Sequence, residues 1–247
     1  MRFAANAPPH RIPAMSPNTA LGPQQPDWCT DVPHGRVLVF APHPDDEIAG
    51  PGGCLALHAR AGDPVRVVVA STGGAGDPDG LYDKATYPAL RQAESRAGLR
   101  ELGVDDVVYW GQPDNCVLSA SDFELGTQLA DAAIRAFAPT LIYLPWECEG
   151  HPDHHALHVI VVAAMARVGY RGEARGYEVW NAMVPDLVVD ITAVAERKRA
   201  AIRAHGSQVR YTDFEHSILG LNAYRSMVHA HGRGHCEAFR RITAPRA

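Results

Sequence analysis

The segment RVLVFAPHPDDE (36–47) decides the architecture. Its first half, Arg36 to Ala41, is a short β-branched apolar run closed by a proline, the pattern of a buried strand that ends in a loop. The strand tip therefore presents HPDDE. After the turn GPGG (50–53), Cys54 to Ala61 reads as helix and PVRVVVAS (64–71) as a second strand, a β-loop-α-β unit whose right-handed crossover makes the two strands parallel.

The alternation continues outward. TGGAGDPDGLYDK (72–84) has the composition of a mobile loop and is expected to act as a lid; Tyr87 to Leu102 follows as helix, and VVYW (107–110) as a strand leading into GQPDN (111–115). Residues 122–137 have helical spacing, TLIYLP (140–145) is a fourth strand, and WECEGHPDHHA (146–156) runs into a helix ending near Gly169. Beyond Gly172 the pattern loosens: EVWNA (178–182) and LVVDI (187–191) read as strands, 193–205 and 221–230 as helices. The fold class is α/β with a mostly parallel sheet. Residues 1–34, rich in proline, read as an irregular arm, and 35–247 as a single domain.

Composition narrows the function. The formal charge is -5 and the basic residues are dispersed, so no footprint for a nucleic-acid backbone exists and a small-molecule partner is expected. No stretch approaches a membrane span of ~18 apolar residues, and the first residues lack the apolar run of a signal peptide. Five cysteines, odd in number, far apart and without a CxxC pair, argue against a disulfide framework or a thiolate zinc site and fit the cytoplasm. Thirteen histidines are many for 247 residues, and they bunch around 151–158 and 229–235. His229, His231 and His235 lie near an expected helix end and read as surface residues.

HPDDE places a histidine and two aspartates on one turn, a dense set of ligands for a divalent metal. His43 and Asp46 are three residues apart, so both reach one space if Asp46 opens the next helix, while Asp45 aims elsewhere. A third ligand then comes from HPDH (151–154), leaving a position for water, as in catalytic zinc sites. The competing reading makes Asp46 and Glu47 helix caps and 151–155 a solvated helix start. Two clusters at strand ends, each beginning His-Pro-Asp, favour metal. In an open parallel sheet such loops line the ligand crevice at the carboxyl ends of the strands.

APHPDDE (41–47) together with HPDHH (151–155) resembles the LmbE-like, or PIG-L, family of N-acetylglucosamine de-N-acetylases. The Gly-Gly after HPDDE, Arg91 with Glu94, LG (102–103), GQPDN and AHGSQ (204–208) extend the resemblance over roughly 36–240. It implies a Rossmann-like three-layer fold and a zinc held by His43, Asp46 and His154; iron(II) or another divalent transition metal would suit the same donors. It further implies Asp45 as the general base toward the attacking water. His151 would be the group that stabilises the oxyanion, and Asp153 the carboxylate that holds its imidazole and favours its charged form. Arg91 and Asp114 would bind substrate hydroxyls.

His158, four residues after His154 on the same expected helix face, is the rival ligand, and His155 points away. Glu147 and Glu149 receive no role. The implied substrate is an N-acetylglucosamine-containing small molecule or glycoconjugate. A metal-dependent hydrolase of another amide or ester bond and a catalytically silent sugar-binding protein stand as alternatives. A homo-oligomer also stays open, since relatives often assemble. The glycine-rich loop does not fit GxGxxG, which argues against a dinucleotide site.

Overall fold

The computed structural model describes residues 25–115 and 118–243. Most of the expected arm lies outside the described residues, and its described part carries the first strand, β1 (Asp27–Cys29). From there strands and helices alternate: β2 (Val37–Ala41), α1 (Asp46–Ala49), α2 (Gly52–Ala61), β3 (Val65–Ser71), α3 (Tyr87–Leu102), β4 (Asp106–Gln112), α4 (Ala120–Phe137), β5 (Leu141–Pro145) and α5 (Pro152–Val168). The last third contributes β6 (Glu173–Tyr177), β7 (Leu187–Asp190), α6 (Ala195–Arg203), α7 (Gly206–Val209), α8 (Phe214–Arg225) and β8 (Cys236–Arg241).

These strands form one sheet in the order β1-β7-β8-β6-β5-β2-β3-β4, in which only β8 runs antiparallel to its neighbours. The period-two geometry of β2 divides its side chains between two cores. Val37, Val39 and Ala41 join the core beneath α1, α2, α3 and α6, while Leu38 and Phe40 join the one beneath α4 and α5. Helices thus cover both faces, the arrangement that lets a parallel strand be apolar throughout. Among the described residues no helix is long and apolar enough to cross a membrane.

Three readings of the last third differ from the structure. The sixth strand is EARGY (173–177), and the more apolar EVWNA falls in the loop after it. The last helix covers Phe214–Arg225, earlier than 221–230. A final strand over Cys236–Arg241, wedged between β6 and β7, had no counterpart in the sequence reading.

Two features hold the segment after HPDDE in place. Glu237 on β8 accepts the N–H groups of Gly53 (2.6 Å) and Cys54 (2.8 Å), capping α2 from outside, and pairs at 2.6 Å with the buried Lys198. Lys198 also donates to the carbonyls of Ala49 and Gly50. Glycine at position 50 is a packing requirement: a Cβ there would lie 2.3 Å from the Tyr177 ring.

Candidate metal centre and catalytic cleft

β2 and β5 are parallel neighbours, so HPDDE and the 146–155 loop emerge side by side at one edge of the sheet. The tips of β3 and β4 add the glycine-rich loop and GQPDN. Together they line a cleft of about 510 Å3, within the ~300–1,000 Å3 range of small-molecule sites. His43, Asp45, Asp46 and His151 lie in its wall.

Asp46 Oδ2 is the hub. It accepts the His43 backbone N–H at 2.9 Å and lies 3.0 Å from His43 Nδ1 and 3.2 Å from His154 Nε2. His154 is fully buried and its Nε2 has no hydrogen-bond partner among the described residues, the Asp46 contact being outside hydrogen-bonding geometry. A buried imidazole nitrogen that faces a carboxylate oxygen at 3.2 Å without hydrogen-bonding geometry suits a cation held by both. The spacing suits one: two donors ~2.0–2.1 Å from a single zinc at the tetrahedral angle stand about 3.3 Å apart. The residues present therefore fit a divalent metal. One donor atom each from His43, His151 and His154 also lie within 4.8 Å of one another, so His151 borders the same space.

The rings are oriented from behind. His43 Nε2 sits 3.0 Å from Asp153 Oδ2, and His154 Nδ1 sits 3.1 Å from Glu149 Oε2. A carboxylate on the far nitrogen fixes a ligand's tautomer and raises its basicity. Glu149, given no role from sequence, also accepts from Trp146 Nε1 (3.0 Å) and the backbone of Val179 (2.8 Å) and Trp180 (3.0 Å). Its signal was its place five residues before a candidate ligand that needs such a partner.

His151 is the N-cap of α5, its Nδ1 accepting the Asp153 N–H at 3.1 Å. In the neutral ring the proton is then on Nε2, on the side away from that bond. Asp153 was expected to hold this imidazole; its carboxylate lies 3.9 Å from His151 Nδ1, while Oδ2 is bonded to His43 and to the Asn115 N–H at 2.8 Å. The helix cap occupies the nitrogen that such a bond would need.

Asp45 Oδ2 accepts from Arg91 Nη2 at 2.9 Å. Arg91, expected to reach substrate, is only 2% exposed and donates also to the carbonyls of Gly73 and Pro44. It lines the cleft and clamps the aspartate and two loops there. Asp114 lines the cleft and accepts the N–H groups of Gly73 (2.8 Å) and Ala75 (2.7 Å). The glycine-rich loop is further tied through its Gly76 carbonyl to Tyr87 and Gln208, and through Asp77 to Tyr211. The expected lid is thus laced down at several points.

His158 donates from Nδ1 to the Pro145 carbonyl at 2.8 Å and stands outside the histidine cluster, and His155 contacts the Glu147 carbonyl.

Residues 38–165 match the profile of the PIG-L family, described as GlcNAc-PI de-N-acetylase. The chain belongs to the PIG-L family. A "probable N-acetyl-alpha-D-glucosaminyl L-malate deacetylase 2" of Bacillus subtilis (strain 168) is 32% identical over 187 residues, 70% of this chain and 83% of the relative. A 1D-myo-inositol 2-acetamido-2-deoxy-alpha-D-glucopyranoside deacetylase of Mycobacterium sp. (strain KMS) is 30% identical over 244 residues, covering 77% of this chain and 79% of that protein. In fold, the chain is similar to the N,N'-diacetylchitobiose deacetylase of Pyrococcus horikoshii, with a TM-score of 0.71, 23% identity, and 84% and 83% of the two chains covered.

The electrostatics of this PIG-L cleft favour a bound cation. Burial disfavours charge on His43, yet the hydrogen bonds to Asp153 and Asp46 outweigh it and raise the ring to about 10. For His154, burial is outweighed by the charge of Asp46, and the ring rises to about 9. Asp46 is driven well below the carboxylate range, the charges of His154 and His43 overcoming burial. Two imidazoles gathered around one carboxylate give a negative field that suits a cation, for which the imidazoles must give up their protons. Burial lowers His151, and the charges of His43 and His154 lower it further, while those of Asp153 and Asp46 oppose them.

Glu47 is another residue the sequence left unassigned. It is fully buried, and burial pushes it up to about 8. It accepts the Asp45 N–H at 3.0 Å and the Ser95 hydroxyl at 2.5 Å, which fixes the backbone of Asp45 while Arg91 holds its carboxylate.

Proposed function

We propose that this PIG-L protein is a zinc-dependent hydrolase that releases acetate from an N-acetylglucosamine-containing small molecule or glycoconjugate. The observation that carries the reading is the orphaned His154 Nε2 beside Asp46 Oδ2 and His43 Nδ1, opening on a small-molecule cleft that Asp45 and His151 also line. The relatives' activities support the acetamide as the reacting group.

His43, Asp46 and His154 would hold the metal, and when bound it would supply Lewis acidity and lower the pKa of water to near ~7. Asp45, held by Arg91 and by its own N–H on Glu47, is the base that accepts a proton from the attacking water. A carboxylate clamped at one oxygen keeps its orientation, so the proton acceptor stands ready without reorganisation. His151, with Nδ1 engaged by the helix cap, offers Nε2–H to the oxyanion that develops on the acetamide carbonyl. Asp153 and Glu149 orient the two imidazoles of the metal set. Arg91 and Asp114 position Asp45 and the glycine-rich loop, and substrate hydroxyls meet the remaining polar wall, including Gln208, Thr212 and Ser217.

The test is acetate release from a panel of N-acetylglucosamine derivatives, with and without a chelator, for the parent and Asp45→Asn. The expected outcome is chelator-sensitive release that zinc restores and that Asp45→Asn abolishes. Hydrolysis that survives complete metal removal would refute the proposal.

A further inference from the structure

Trp180 stands out on the cleft wall. It lies in the loop after β6, lines the cleft, and is 66% exposed, so packing among the described residues does not account for an indole there. Its ring is nevertheless in register with the site: 5.2 Å from His151 and 6.4 Å from His154, centroid to centroid. Its backbone is pinned, since Val179 and Trp180 both donate to the buried Glu149 carboxylate that orients His154. Asn181 adds a bond from Nδ2 to the Cys148 carbonyl at 2.9 Å, and a Cβ at Gly150 would come within 2.9 Å of the Asn181 side chain. The indole is therefore an exposed aromatic face on a fixed mount.

Val179, Phe214 and Ile218 also line the cleft, together with the polar Asp114, Asn115 and Ser217. An indole face carries the negative side of its quadrupole and attracts C–H edges and π surfaces. A pyranose ring presents such C–H groups on its flat faces, and an aryl ring presents both.

We infer that Trp180 is the specificity-determining residue of the cleft, stacking on a flat, uncharged group joined to the N-acetylglucosamine unit, either a second pyranose or an aryl aglycone. This rests on the proposed amino-sugar substrate. Because the mount is rigid, the gain appears as tighter binding of the extended substrate with little ordering cost.

The test measures binding by calorimetry to zinc-supplied protein in the Asp45→Asn background, so that turnover does not intervene. The probes are free N-acetylglucosamine, N,N'-diacetylchitobiose and 4-nitrophenyl N-acetyl-glucosaminide. Trp180→Ala should raise Kd for one or both glycosides roughly 10-fold and weaken the free sugar several-fold less, while Trp180→Phe should restore most of the loss. A loss on the disaccharide alone identifies the pyranose, and on the aryl glycoside alone the aryl ring. Equal weakening of all three probes, no weakening, or no binding of either glycoside to the Trp180 parent would overturn the inference. Failure of the deacetylase reading is distinguishable: the glycosides would bind in a Trp180-dependent way while the parent enzyme released no acetate.

Discussion

Replacing Glu149 with glutamine tests whether the carboxylate behind His154 organises the metal centre. The wild-type side chain receives five donors, Trp146 Nε1, Val179 N and, at 3.5 Å, Asn181 N on Oε1, and His154 Nδ1 and Trp180 N on Oε2. Glutamine keeps one acceptor oxygen and turns an NH2 toward the other donors, so at least two buried contacts become donor against donor. At ~1–3 kcal/mol for each buried group left unsatisfied, the loss is about 2–6 kcal/mol. A shift of ~2–4 °C per kcal/mol for a chain of this size makes the drop in Tm on the order of 10 °C. His154 also loses the carboxylate that raises its basicity, which in comparable sites costs ~10–100-fold in metal affinity. The assays are thermal unfolding of the metal-free protein and zinc competition against a chromophoric chelator at neutral pH. A Glu149→Gln protein with unchanged Tm and zinc affinity within about 3-fold of the parent would refute the reasoning.

Three further outcomes are expected. Asp45→Asn should lower kcat by ~10²–10⁴ with zinc content unchanged by elemental analysis; a full loss of bound metal would instead make Asp45 a ligand. His151→Ala should lower kcat by ~10²–10³ while retaining zinc, since its Nδ1 is engaged by the α5 cap; release of zinc from a folded variant would contradict this assignment. His58 is buried against Asp63 at 2.8 Å, and burial lowers its pKa below the ordinary value near ~6.5, so the unfolded chain binds a proton that the folded chain resists. Its contribution to stability is intact above pH ~6.5 and is lost as pH falls below that; Tm should drop between pH 7 and pH 5, and His58→Asn should flatten that part of the profile.

The first two-thirds of the fold was legible because its central strands β2 and β5 are apolar on both faces and most of its helices are bracketed by glycine or proline. The predicted helix Tyr87 to Leu102 coincides with α3. β6 was not, because EARGY carries Glu173 and Arg175, whose mutual 2.6 Å bond makes a charged strand tolerable, while EVWNA looks better by local pattern. β8 pairs with strands dozens of residues away, and no local periodicity reports such an insertion. At the site, the clusters HPDDE and HPDH were visible as chemistry. The role of Arg91 was not, since an arginine on a helix is buried here only because Asp45, 46 residues earlier, meets it. Glu149 and Glu47 were likewise hidden, because several of their partners are backbone N–H groups set by loop geometry and Ser95 stands 48 residues after Glu47.

The adjacency of β2 and β5 has a kinetic consequence. Val37 pairs with Leu141 across 104 positions of chain (141 minus 37), so His43 and His154 meet only after a long parallel loop has closed. Formation of the metal set must then follow the slow step of chain assembly rather than guide it. Zinc added during refolding should leave the folding rate nearly unchanged and retard unfolding, placing the ion's contribution to durability almost entirely on the barrier to escape from the native state.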